Sequence, residues 1–111
     1  MTLPLLKNND SMLPSHLPTR VLIVEDDEDD YLLIEACIND IPHKKFLIDW
    51  CYNYEEALKR IADSGYDIYF IDYLLGEKTG LELLRDAVAL GCEDPLVLLT
   101  GIGNRDVDIQ A

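Results

Sequence analysis

The sequence is short of bases and of long apolar runs. Nine lysines and arginines stand against 22 aspartates and glutamates, a formal net charge of -13. Such a chain repels the phosphates of nucleic acid rather than neutralising them, and it repels an anionic membrane surface too. No apolar stretch approaches the roughly 20 residues of a membrane span. The N-terminus lacks the basic start and continuous apolar segment of a signal peptide. The three cysteines, Cys37, Cys51 and Cys92, are odd in number, far apart and without CxxC or CxxH spacing, so they suggest neither a disulfide framework nor a zinc site. Reduced thiols acting as small, half-buried apolar residues suit the cytoplasm. His16 and His43 have no partner at ligand spacing and receive no chemistry.

What is present is a core-former of one small domain, with 111 residues, 49% of them hydrophobic and 28% charged. Residues 1–18, with Pro4, Pro14 and Pro18, show no sustained period and are expected to be a flexible leader. Its leucines leave room for docking. Val21-Leu22-Ile23-Val24 then reads as a parallel strand buried on both faces, running straight into six acids, Glu25 to Asp30. A helix from about Asp29 to Asn39 follows, with Leu33, Ile34, Cys37, Ile38 and Ile41 as its apolar stripe. Phe46 to Cys51 is an edge strand, interrupted by Asp49, and Asn53 caps a helix over Tyr54, Ala57, Leu58 and Ile61 that ends at Gly65. Ile68 to Ile71 is a third strand, ended by Asp72. Residues 74–80 read as a loop, and the next helix carries Leu81, Leu84, Ala87 and Val88 on one face until Gly91. Leu96 to Leu99 is a fourth buried strand, Gly101-Ile102-Gly103 a turn, and Asn104 to Ala111 the start of a further helix. Trp50, Tyr52 and Tyr54 read as packing residues or an edge surface.

This alternation specifies a parallel sheet covered on both faces, a three-layer doubly wound α/β fold, and the flavodoxin-like order of such sheets, here 2-1-3-4, makes the first and third strands neighbours. Right-handed crossovers bring the strand C-termini to one edge, so Glu25, Asp26, Asp72 and Thr100 face one crevice. Two ionised carboxylates about 5 Å apart repel by roughly 3 kcal/mol at an effective dielectric of about 20. Such a group calls for a cation, a proton or water, and an all-oxygen site with room for phosphate suits Mg2+. An aspartate beside Mg2+ can accept a phosphoryl group, and the Thr100 hydroxyl could donate to it. The competing readings are plain: Glu28, Asp29 and Asp30 also suit a solvated helix start, Asp27 is ambiguous, and Thr100 also suits a cap or turn.

The Val21–Asp27 strand and acids, Ile71-Asp72, the Gly80-Leu81-Glu82-Leu83-Leu84 helix start and Leu98-Leu99-Thr100-Gly101 together resemble a receiver domain, the CheY-like module of two-component response regulators. The resemblance covers about residues 19–111. It implies a phospho-acceptor signalling module rather than a free-standing enzyme, taking phosphate from a histidine kinase or phosphotransfer protein onto Asp72. It further implies Mg2+ held by Glu25, Asp26, Asp72 and the Leu74 backbone carbonyl, with Thr100 contacting the phosphoryl group and a switched surface passing the signal on.

Two departures qualify it. Gly76 stands where many receivers have proline, which implies a looser loop with no chemistry lost. The fifth strand, its lysine and the fifth helix are absent, so the domain reads as C-terminally incomplete; none of Lys44, Lys45, Lys59 or Lys78 replaces the lysine. A fragment of a longer protein, completion by another chain, or cover by the leader would each account for this, with an effector domain beyond Ala111 and a homodimer through the fourth strand among the expectations. The alternatives are a receiver-like interaction domain that is not phosphorylated, and an aspartyl-phosphate phosphohydrolase of the haloacid-dehalogenase kind. Against the latter, Leu74 stands where such an enzyme places its general acid.

Overall fold

The computed structural model describes residues 17–100. The leader's residues 1–16, the turn at Gly101-Ile102-Gly103 and the helix expected from Asn104 lie outside them. Strand β1 (Thr19–Val24) is followed by α1 (Glu28–Asn39), β2 (Phe46–Cys51), α2 (Tyr54–Ala62) and β3 (Ile68–Asp72). A hairpin of two short strands, β4 (Leu74–Leu75) and β5 (Lys78–Thr79), precedes α3 (Gly80–Ala89) and β6 (Leu96–Leu99).

The main sheet has four parallel strands in the order β2-β1-β3-β6, which is the expected 2-1-3-4 with the hairpin intervening in the count. Val21 to Val24 are fully buried because β1 is central and covered on both faces. On one face Leu22, Val24, Tyr69 and Ile71 pack with Ala57 and Ile61 of α2 and Leu83 and Ala87 of α3. On the other, Val21 and Ile23 meet Ile34 and Ile38 of α1.

The side chain of Asp27, the residue left ambiguous by sequence, accepts from the Asp30 N–H and so caps α1, whose first turn holds Glu28, Asp29 and Asp30. Acids there complement the positive end of the helix dipole. Asn53 caps α2 by accepting from the Glu56 N–H. Thr79 and Glu82 form a reciprocal capping box at α3.

Several details differ from the sequence reading. The expected loop at 74–80 contains the hairpin, in which Leu75 is buried. Gly76, with φ of 66°, takes the first central position of its two-residue turn, where a type II′ turn requires a glycine. The face of α3 is turned: Leu83 is fully buried and Val88 is 54% exposed, because Gly80, Leu83 and Ala87 meet the sheet. On α1, Leu33 and Cys37 are exposed, as is Ile41 just beyond it, since the residues of the expected stripe that are buried against the sheet are Ile34 and Ile38. Strand β6 is half-buried rather than buried, with β3 as its one neighbour among the described residues. Beside it lies an apolar groove of about 200 Å³, lined by Leu33, Ile34, Cys37, Ile38, Phe70 and Leu99.

Gly65 does not terminate α2 in the expected way. The helix ends at Ala62, and the left-handed residue is Ser64, with φ of 57°. A side chain there costs about 1–2 kcal/mol, against roughly 0.5–1 kcal/mol for the added chain entropy of glycine. Ser64→Gly is therefore expected to stabilise the fold by about 0.5–1 kcal/mol, read as a raised urea midpoint with unchanged slope.

Candidate functional site

The two central strands end in acids. Glu25 follows the last residue of β1, and Asp72 is the last residue of β3. Parallel pairing of Val24 with Ile71 sets these positions side by side. Glu25, Asp26 and Asp72 each bring a carboxylate oxygen to within 4.8 Å of the others. Among the described residues no lysine or arginine forms a salt bridge with them.

The three acids are held differently. Glu25 is 1% exposed; its Oε2 accepts from the Asp27 N–H at 3.1 Å, while Oε1 is buried without a hydrogen-bond partner. A buried unpaired carboxylate oxygen is costly, and the response is to hold a proton. Burial pushes the Glu25 carboxyl up to about 8 from an ordinary 4.5, and the charges of Asp72, Asp30 and Asp26 push the same way. Asp72 is 8% exposed and also raised, first by burial and then by Asp26 and Asp30, although its Oδ2 accepts from the Leu74 N–H at 3.0 Å. Asp26 is exposed, and its Oδ2 accepts from the Gly76 N–H at 3.0 Å.

That last bond changes the meaning of Gly76. Rather than loosening the loop, it supplies a positive φ and an N–H that ties the hairpin to Asp26, and proline could offer neither. The start of α3 is fixed as tightly. Gly80 donates its N–H to the Tyr73 carbonyl at 2.6 Å, and a Cβ on it would lie 2.1 Å from the Asp72 carbonyl oxygen. Only glycine lets the helix approach the Asp72 backbone this closely.

The structure thus brings together Glu25, Asp26 and Asp72. Leu74, half-exposed, contributes its N–H to Asp72. Thr100 is exposed and follows Leu99, the register partner of Asp72, so it stands at the adjoining strand end. Sequence reasoning missed Gly80 as a close-approach residue, Gly76 as a donor, and Trp50, whose Nε1–H donates to the Glu25 carbonyl at 2.7 Å. A glycine opening a helix just after a loop was the one available signal, for Gly80. Three carboxyls, one with an orphaned buried oxygen, form an all-oxygen group that could hold a hard divalent cation.

A family model described as the response regulator receiver domain matches residues 21–111. The chain is 30% identical over 81 residues to a transcriptional regulatory protein, DltR, of Streptococcus agalactiae serotype III (strain NEM316), covering 73% of this chain and 35% of that protein. It is 31% identical over 85 residues to the two-component response regulator PhoP of Pseudomonas aeruginosa, covering 77% and 36%. The chain thus spans about a third of the length of these curated relatives, 35% and 36%. Among solved structures, a CheY-like response regulator receiver domain from Methylobacillus flagellatus superposes with a TM-score of 0.65 at 28% identity, covering 77% of this chain and 71% of that one.

Two outcomes are expected. Gly80→Ala forces the α3 start off the Asp72 backbone and destabilises by about 1–3 kcal/mol or more, measured by urea unfolding. The raised Glu25 and Asp72 carboxyls mean that the folded state binds protons the unfolded state has released. In chelator, stability is therefore highest below about pH 4.5 for this pair, and falls as pH rises towards about 8. Unfolding midpoints in chelator should fall between pH 5 and 8.

Proposed function

The chain belongs to the response regulator receiver family of two-component systems, and from that membership we propose that Asp72 accepts a phosphoryl group in a Mg2+-dependent reaction. Glu25, Asp26, Asp72 and the Leu74 carbonyl would hold the ion. The observation that carries this reading is the buried, unpartnered Oε1 of Glu25, a residue grouped with two further carboxyls. When bound, Mg2+ neutralises charge on the carboxylates and on the oxygens of the transferring group.

The chain's own residues supply the rest. The Leu74 N–H holds Asp72 Oδ2, orienting the carboxylate and leaving its other oxygen to attack phosphorus. A P–O bond to Asp72 forms as the P–N bond of a phosphohistidine breaks, and the imidazole nitrogen leaves with the electron pair and takes a proton. Thr100, beside Asp72 in register, would donate its hydroxyl to a phosphoryl oxygen. Glu25 must lose its proton before the cation binds, so cation affinity rises with pH up to about 8.

In this reading the donor is a histidine kinase or phosphotransfer protein in the cytoplasm, residues 19–111 are the receiver and residues 1–18 its leader. The output surface serves an effector domain or a second copy meeting the β6 edge. Among the described residues no helix is long and apolar enough to cross a membrane. A second reading, an interaction domain that is never phosphorylated, draws on the open apolar groove beside β6.

The test is mass spectrometry after incubation with acetyl phosphate and Mg2+. The wild type should gain one phosphoryl group, lost in Asp72→Ala and on chelation. No gain, or equal labelling of the variant, would overturn the proposal. Beryllofluoride separates the second reading, because a phospho-accepting receiver should bind it only with Mg2+ present.

A further inference from the structure

Strand β1 pairs with β2 as far as Val24 opposite Cys51, and the Glu25 N–H still reaches the Cys51 carbonyl at 3.0 Å. There the ladder stops, because β2 ends at Cys51 and Asn53 already caps α2. The Glu25 carbonyl therefore has no strand donor ahead of it. The indole of Trp50 supplies one, its Nε1–H donating to that carbonyl at 2.7 Å across 25 residues of chain.

The indole is itself held. Tyr31, in the second turn of α1, stacks on it with ring centroids 4.6 Å apart and planes 11° from parallel. The Tyr31 hydroxyl donates to Glu35 Oε2 at 3.1 Å, and Tyr52 leans on Trp50 from 5.7 Å. Stacked aromatic pairs contribute about 0.5–1.5 kcal/mol beyond their buried area.

The Glu25 carbonyl belongs to the peptide that joins Glu25 to Asp26. Fixing that oxygen fixes the plane of the peptide, which limits where the side chains on either side can point. One of them is the buried Glu25 carboxyl, and the other is Asp26, whose side chain is held only by the Gly76 N–H.

We propose that Trp50, braced by Tyr31, is a positioning residue for the cation-binding acids, its indole N–H locking the Glu25–Asp26 peptide in the orientation that aims both carboxyls at the ion. This rests on the reading of Glu25, Asp26 and Asp72 as a Mg2+ site. An ordinary packing role for Trp50 would need its ring but not its N–H, and the two roles separate on that atom.

Trp50 is the chain's single tryptophan, so global replacement by 3-benzothienylalanine alters this residue alone. Sulfur takes the place of the N–H while ring shape and stacking persist. Mg2+ titration by calorimetry should give a dissociation constant about 3- to 10-fold weaker than wild type, the effect of losing one hydrogen bond. The urea midpoint in chelator should fall only by the small step of one lost hydrogen bond, leaving the protein folded throughout the titration. Tyr31→Leu, which keeps the N–H but removes its brace, should weaken Mg2+ binding in the same direction by less. In the unmodified protein, Mg2+ should shift the Trp50 emission.

Equal Mg2+ affinity of the wild-type and substituted proteins overturns the proposal and leaves the site reading standing. So does an affinity loss that merely tracks unfolding in chelator. A wild type that binds no Mg2+ overturns both.

Discussion

Burying a carboxyl group is costly unless it is paired, and this fold buries two, Glu25 and Asp72, at the ends of neighbouring central strands. Most of the surrounding architecture serves to hold them there. Backbone N–H groups of Asp27 and Leu74 each take one carboxyl oxygen, and the Gly76 N–H holds the exposed Asp26 beside them. Each donor sits in a tight turn immediately after a strand, where free N–H groups are naturally available. Parallel strands create this arrangement because their C-terminal ends share one edge. Among the fully buried carboxyl oxygens of the site, Glu25 Oε1 is left without a donor. That residual deficit goes with the raised Glu25 carboxyl.

Glycine makes the same geometry possible on the other side of Asp72. The strand end, the β4–β5 hairpin and the first turn of α3 converge within a few residues, and Gly80 lies against the Asp72 backbone with no room for a Cβ. Contact at this point also sets the rotation of α3. With Gly80 against the sheet, Leu83 and Ala87 follow it inward, and Val88 turns out to solvent. Helix orientation and site geometry are therefore one constraint. Moving either moves the other.

Much of this was legible in the residues. Four β-branched or leucine residues ending in acids read correctly as the buried central strand, and Asp72 read correctly as the end of its neighbour. The alternation of strand and helix patterns was enough for a parallel sheet covered on both faces, and its strand order followed the flavodoxin-like template. What escaped was set by contacts distant in sequence. Two-residue strands such as Leu74–Leu75 have no periodicity to detect. Leu83 and Leu84 are adjacent leucines, and only the approach of Gly80 decides which one is buried. Gly76 was compared with a family preference and read as a loosening, although its N–H bonds Asp26 across 50 residues. Trp50 looked like edge packing because its partner is a main-chain carbonyl, which has no signature in side-chain pattern. The apolar stripe of α1 was overestimated for another reason. Periodicity shows which residues share a face but not how much of it is covered, and Leu33 and Cys37 line an open groove.

The acids that start α1 act on two scales at once. Locally, Asp27 caps the helix and Glu28, Asp29 and Asp30 complement its dipole, so they stabilise the element that follows the site. The same charges work against the site when it is empty of counter-charge, since Asp30 and Asp26 help to raise both Glu25 and Asp72. Asp30 is itself raised by burial and by Asp27, Asp29 and Asp26. Over longer range, the net charge of -13 concentrates cations near the crevice, within a screening distance of about 8 Å at physiological salt. A sequence selected for helix stability alone would gain from fewer acids at residues 25 and 26, where they cap nothing. A buried carboxyl without counter-charge favours its protonated form, and Glu25 and Asp72 are both raised accordingly. In the proposed Mg2+ site, the repulsion that costs stability without the ion would become affinity for it.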